Sequence, residues 1–145
     1  MSRLTVNEAG TSGYTDEIIL TPGDFTTAAG NTTTLVNYPV KEGDVIDGVC
    51  LDITEAFSVS SNITIGADAD IAGSADADGF IEAVNANAVA VKTNTGDLID
   101  DGGEANNTRL VVAADGNITI NSASALDVST SGRMRVLISI KRVNA

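Results

Sequence analysis

Apolar side chains in this chain recur at every second position over short stretches, and nowhere at helical spacing over a useful length. The longest stretch runs from Val45 to Phe57, with Val45, Ile46, Val49, Leu51, Ile53 and Phe57 as its apolar positions. A polar turn from Ser58 to Asn62 follows, and Ile63-Thr64-Ile65-Gly66 brings the chain back. That pattern predicts a strand, a hairpin turn and a second strand. A loop of Asp, Ala and Gly, 67–78, then leads into a strand over Gly79 to Val84.

The rest of the chain reads the same way. Tyr14 to Leu20 is a strand stopped by Thr21-Pro22-Gly23-Asp24, a turn in which Pro sets φ and Gly tolerates either sign. Thr32 to Val40 is rich in β-formers, and Pro39 places its end at an edge or a terminus. Lys41-Glu42-Gly43-Asp44 is a turn. Ala86 to Lys92 reads as strand or irregular structure, since Val and the flanking Asn residues disfavour helix. Thr93 to Asn107 is a long acidic loop. Thr108 to Ala113 and Asn117 to Asn121 flank Asp115-Gly116 and predict a hairpin. After a turn at Ser131-Gly132, the final strand runs from Arg133 to Val143, with Val136, Ile138 and Ile140 on its buried face. About eight short strands separated by turn signals predict an all-β fold: a single-domain antiparallel β-sandwich, jelly-roll-like, with no substantial helix. Residues 1–13, polar and Gly-containing, form a flexible or extended N-terminal arm ahead of a sandwich domain spanning 14–145.

Composition narrows the function classes. The 145 residues suit one domain. Their apolar content is aliphatic, with three Phe, two Tyr and no Trp, so oligomerisation has room to bury more. Twenty acids against eight bases give a net charge of −12, which argues against nucleic acid and against anionic membrane surfaces. No run is long and apolar enough to span a membrane, and MSRLTVNEAG lacks the apolar stretch of a signal peptide. The expected site of synthesis is a cytoplasm. The single cysteine, Cys50, lies in an apolar run and reads as a buried inert thiol.

Little carries chemistry. The chain has no histidine, which removes the commonest general base and metal ligand and every triad built on them. The chain therefore reads as no enzyme and as needing no cofactor. Calcium is the one metal to weigh, because hard cations take several oxygens and Asp68, Asp70, Asp76 and Asp78 share one loop. Gly79, however, stands where an EF-hand needs its bidentate Glu, so the loop reads as a solvated acidic rim. Asp97, Asp100, Asp101 and Glu104 form a second acidic cluster of the same kind. Arg133, Arg135, Lys141 and Arg142 crowd the last strand and have two readings: charges guarding an edge strand, or a docking face for an acidic partner. With Arg3 in the arm they make up the candidate partner-binding residues.

A family resemblance sharpens this. Leu20-Thr21-Pro22-Gly23-Asp24, then Lys41-Glu42-Gly43-Asp44-Val45-Ile46, then Val49-Cys50-Leu51-Asp52-Ile53-Thr54-Glu55-Ala56-Phe57, lead to Ile63-Thr64-Ile65-Gly66 and Asp78-Gly79-Phe80-Ile81, and a terminal Arg135-Val136-Leu137-Ile138 strand closes the order. This order resembles the small virion structural proteins of tailed bacteriophages, namely capsid decoration (cement) proteins and some head-fibre proteins. The resemblance implies a non-enzymatic protein that binds the outside of the shell through the major capsid protein, reinforces it as a homotrimer, and resides on the virion. The alternative is a receptor- or glycan-binding module of a phage fibre or tail, for which exposed aromatic residues are expected and few are present.

Overall fold

The computed structural model describes residues 6–8, 13–25, 33–68, 71, 76–96, 98–99 and 109–143, and for 6–8 and 33–37 it describes the backbone. The described residues form ten strands: β1 Val6–Glu8, β2 Asp16–Leu20, β3 Thr33–Val40, β4 Val45–Glu55, β5 Asn62–Ala67, β6 Asp76–Asn85, β7 Ala90–Thr93, β8 Leu110–Val111, β9 Gly116–Ser122 and β10 Arg133–Lys141. Two 3-10 turns, Pro22–Asp24 and Leu126–Val128, complete the elements. The first is the predicted Pro-Gly turn. Asp24 closes it by accepting a hydrogen bond from the Thr21 amide at 2.8 Å.

The fold is a two-sheet antiparallel sandwich. Sheet A runs β1-β2-β10-β4-β7, with β8 also paired to β4, and sheet B runs β3-β9-β5-β6. Between them lies the expected aliphatic core. Ile46, Val49, Leu51, Ile53, Met134, Val136 and Ile138 face in from sheet A, and Ile63, Ile65, Ile81, Ile118 and Ile120 face in from sheet B. Alternation is what makes this possible, since every second residue of a strand points to one face. Phe25 and Phe57 meet edge to face near one end, with centroids 5.7 Å apart at 80°.

Three expectations about pairing are overturned. First, β4 and β5 are not a hairpin. β4 pairs with β10, β7 and β8, whereas β5 pairs with β6 and β9, so the Ser58–Ser61 turn carries the chain from one sheet to the other. Second, Asp115-Gly116 is likewise a crossover, because β8 lies against β4 and β9 against β3 and β5. Turn chemistry specifies a reversal but not whether the returning strand pairs or crosses the core. Third, β10 is no edge strand. It is hydrogen-bonded to β2 on one side and β4 on the other, so its cations do not guard an open edge. The edge assignment for the Pro39 strand is confirmed: β3 is outermost in sheet B.

Among the described residues, close contacts require glycine at Gly66 and Gly132, and also at Gly96, where a Cβ lies 2.2 Å from the Gly79 carbonyl oxygen. A Cβ on Gly66 stands 1.9 Å from the Asp76 carbonyl oxygen, because β6 bulges over β5 there and the register jumps between Ile65 and Ala67. Gly132 has φ of +135°, and a Cβ on it lies 2.4 Å from the Phe57 ring. The glycine that ends the Ile63-Thr64-Ile65-Gly66 motif is thus a packing requirement of the β5–β6 hairpin. Gly66→Ala is expected to lower the unfolding free energy by about 3 kcal/mol or more, through backbone displacement in a packed sheet. Urea unfolding measures this, and a loss below about 1 kcal/mol contradicts the role assigned to Gly66.

Candidate functional site

Sheet A presents its outer face to solvent, and β10 runs down its middle. Residues 133, 135, 137, 139 and 141 point outward, as the alternation of buried Met134, Val136, Ile138 and Ile140 requires. Arg135 sits between two acids on the neighbouring strands. Its Nε donates to Asp52 on β4 at 2.7 Å, and its Nη1 donates to Glu17 on β2 at 3.2 Å. Asp52 is its direct cross-strand partner. The hydrogen bond to Asp52, opposed by desolvation and aided by Glu17, raises the guanidinium pKa further. Next to this triad, Leu137 and Cys50 face each other across β10 and β4. Both are buried although they lie on the outer face, at 2% and 4% exposure. Cys50 is a free, buried thiol, as its apolar setting predicts.

A second cluster closes one end of the sandwich. Tyr38 on β3 of sheet B donates its hydroxyl hydrogen bond to Asp16 on β2 of sheet A, so the pair bridges the two layers. Arg142, just past β10, donates from Nη2 to the Tyr38 hydroxyl at 2.5 Å. It also lies over that ring, 5.2 Å from its centroid. Its guanidinium reaches Asp16 at 3.4 Å and Asp44 at 3.6 Å. Burial, then the Asp16 hydrogen bond, pushes the Tyr38 hydroxyl pKa far up, so the phenol stays protonated.

Asp44 anchors this cluster. It is 1% exposed, in the turn between β3 and β4. One carboxylate oxygen accepts the Lys41 amide at 3.0 Å, and the other accepts the Val143 amide at 3.0 Å. Burial alone raises its pKa. The two amide hydrogen bonds, with Arg142 and Lys41, outweigh that and hold it below the usual carboxylate value. The same turn is tied to β8: the Val112 amide donates to the Asp44 carbonyl at 2.8 Å and the Gly43 amide to the Val112 carbonyl at 2.9 Å.

The residues singled out from sequence therefore divide. Arg135 and Arg142 are engaged with carboxylates of their own chain. Arg133 and Lys141 are exposed at opposite ends of β10. Arg3 lies outside the described residues. Of the calcium candidates, Asp68 accepts from the Asn117 amide at 2.8 Å and the Ile71 amide at 3.3 Å, so it braces its own loop. Asp76 opens β6 opposite Ala67, and Asp78 is exposed two residues on. Asp70, Asp97, Asp100, Asp101 and Glu104 lie outside the described residues. Among the described residues, no three His, Cys, Asp or Glu side chains come together as a metal site. Phe25, Tyr38, Phe57 and Phe80 are buried in the core.

Sequence reasoning passed over Tyr38, Asp16, Glu17, Asp44 and Asp52. For Glu17 and Asp52 a signal existed, since both occupy outward positions on strands whose alternate residues are apolar. No such signal marks Tyr38 and Asp16, whose meeting depends on how the two sheets stack.

No protein-family model matches the chain, and no curated protein matches it. Among solved structures, the chain is similar to the cyanophage Pam1 capsid asymmetric unit, with 17% identity and a TM-score of 0.48 over 87% of this chain and 81% of that chain. A likeness of that size assigns neither a family nor a role. Among the described residues, no helix is long and apolar enough to cross a membrane.

The Asp44 cluster sets an acid-dependent term in stability. Its folded pKa is depressed, so its contribution is fully present above the unfolded value of about 3.9 and is lost as pH falls through the folded value. Asp44→Asn leaves one buried amide without a carboxylate acceptor and is expected to cost about 1–3 kcal/mol at neutral pH. It should also flatten the loss of stability in the acid range below the ordinary aspartate pKa. Chemical denaturation of both proteins across that range tests this, and parallel acid limbs contradict it.

Proposed function

We propose that the protein is a non-enzymatic virion structural protein, a decoration or cement protein that binds the outer surface of a phage capsid and stabilises it as a homotrimer. The observation that carries this reading is the ordered set of motifs from Leu20 to Ile81 together with the closing Arg135–Ile138 strand. These residues build the β4–β10 pair and the β5–β6 hairpin, so the resemblance concerns the scaffold. Three further features fit. The chain has no histidine. Many described carboxylates serve internal bonds, as Asp44, Asp52, Asp16, Glu17 and Asp68 do. A shell under internal pressure gains from many identical clamps, whose individually weak contacts add up by multivalency.

In this reading the partners are the major capsid protein and two further copies of the chain, and the location is the virion. Within the docking set, Arg133 and Lys141 are the cations presented to the shell, and Arg135 and Arg142 hold the face in shape. The arm, residues 1–13, contributes β1, which pairs with β2 at the margin of sheet A.

Co-sedimentation with purified shells that lack this protein tests the proposal. Saturable binding is expected, and no uptake at any concentration overturns it. Arg133→Glu combined with Lys141→Glu is expected to weaken binding about tenfold or more, by charge reversal at a polar contact, without lowering the melting temperature. Unchanged occupancy by that variant removes the two cations from the docking face.

A further inference from the structure

β6 has ten residues and lies at the margin of sheet B. Among the described residues, β5 is the one strand paired with it. The other side of such a strand presents backbone groups that a strand of another molecule can take up. In β6 three of these groups are occupied from within the chain. The Gly96 amide donates to the Phe80 carbonyl at 3.0 Å, and the Leu98 amide donates to the Gly79 carbonyl at 2.8 Å. In the opposite direction, the Glu82 amide donates to the Thr95 hydroxyl at 3.0 Å. The chain that has just left β7 of sheet A therefore runs beside β6 of sheet B.

Two anchors and one close fit hold this segment. At its start, Asn94 extends the β4–β7 pairing by a step. Its amide donates to the Val49 carbonyl at 3.1 Å, and its side-chain oxygen accepts the Val49 amide at 2.9 Å. Its φ of +49° lies in the left-handed region that Asn tolerates better than most residues, and it turns the chain out of sheet A. At the other end, Ile99 is buried in the core, and half-buried Leu98 packs on that core. Between the anchors the backbones nearly touch. The Cβ that Gly96 lacks would press on the Gly79 carbonyl, and a Cβ on Gly79 would stand 2.4 Å from the Leu98 side chain. Glycine on both partners permits this approach.

We propose that residues 94–96, 98 and 99 are a strap that closes the margin of β6 to a strand of a second copy, hinged at Asn94 and locked by the fit of Gly96 against Gly79. β6 has a second guard in its exposed acids, Asp78 and Glu82, which repel the same strand of another copy. That repulsion is screened by salt, whereas the strap is a set of backbone bonds and a steric block, which salt leaves in place. The strap stands whether or not the chain binds a shell.

Amide hydrogen exchange and light scattering on the full chain provide the test. Exchange at the Glu82, Gly96 and Leu98 amides is expected to be slowed about hundredfold or more relative to unbonded amides, and to one common rate, since a single opening frees all three. Gly96→Ala is expected to speed exchange at Glu82 and Leu98 about tenfold or more while Leu51 and Val136, at the centre of sheet A, keep their rates. At about 1 M sodium chloride, where charges are screened beyond about 3 Å, the variant is expected to form assemblies whose mass rises with protein concentration, while the wild type keeps its low-salt mass. Should Gly96→Ala fail to fold, Thr95→Ala, which removes the acceptor of the Glu82 amide, decides by the same two readings. Wild-type amides at 82, 96 and 98 that exchange like unbonded ones overturn the strap. A rise in exchange that extends equally to Leu51 and Val136 overturns its hinged, local opening. A variant with freed strap amides and the wild-type mass in high salt overturns its guarding role.

Discussion

Sheet A depends on its last strand. β10 arrives late in the chain and inserts between β2 and β4, pairing with β4 from Arg133 to Lys141 and with β2 from Met134 to Ile138. Without it, β2 and β4 share no neighbour, and Met134, Val136 and Ile138 are missing from the centre of the core. These contacts join the two ends of the chain to its middle. They carry the loop-closure cost of distant pairing, recovered only when the apolar faces meet.

A central position also dictates what β10 carries on its other face. Flanked by strands on both sides, its outward arginine has carboxylate neighbours within reach, and Arg135 takes Asp52 and Glu17 together. Just past the strand, Arg142 is caught between Tyr38, Asp16 and Asp44 and ties the chain end to both sheets. At an edge, the same residues would serve as charges discouraging aggregation. In the middle of a sheet they cross-link it. Two of the four cations, Arg133 and Lys141, stand outside these braces, exposed at opposite ends of β10. The exposed valines at β7 and β8, Val91 and Val111, lie apart from them.

Much of the fold was legible because alternation is a local property. The stretches around Ile19, Ile53, Ile65, Ile118 and Ile138 each show the period of a half-buried strand, and each is one. Register shifts, as over Gly66, and the short β7 were less legible, since they answer to neighbouring strands. The candidate site divides the same way. Cations on an outward face can be named from the pattern, but whether each meets an acid of its own chain depends on which strands become neighbours.

By itself, the sequence determined the strand segments, their buried faces, the aliphatic character of the core and the lack of histidine chemistry, because composition and two-residue periodicity need no distant partner. Only the tertiary structure decided that β4 and β5 belong to opposing sheets, that Asp115-Gly116 is a crossover and that β10 is central. It also decided that Arg135 and Arg142 are internal braces. The physical reason is common to all of these. A strand's alternation is the same whether the next strand pairs beside it or crosses to the opposing sheet. The choice between them is made by the packing of the whole chain, which no local pattern encodes.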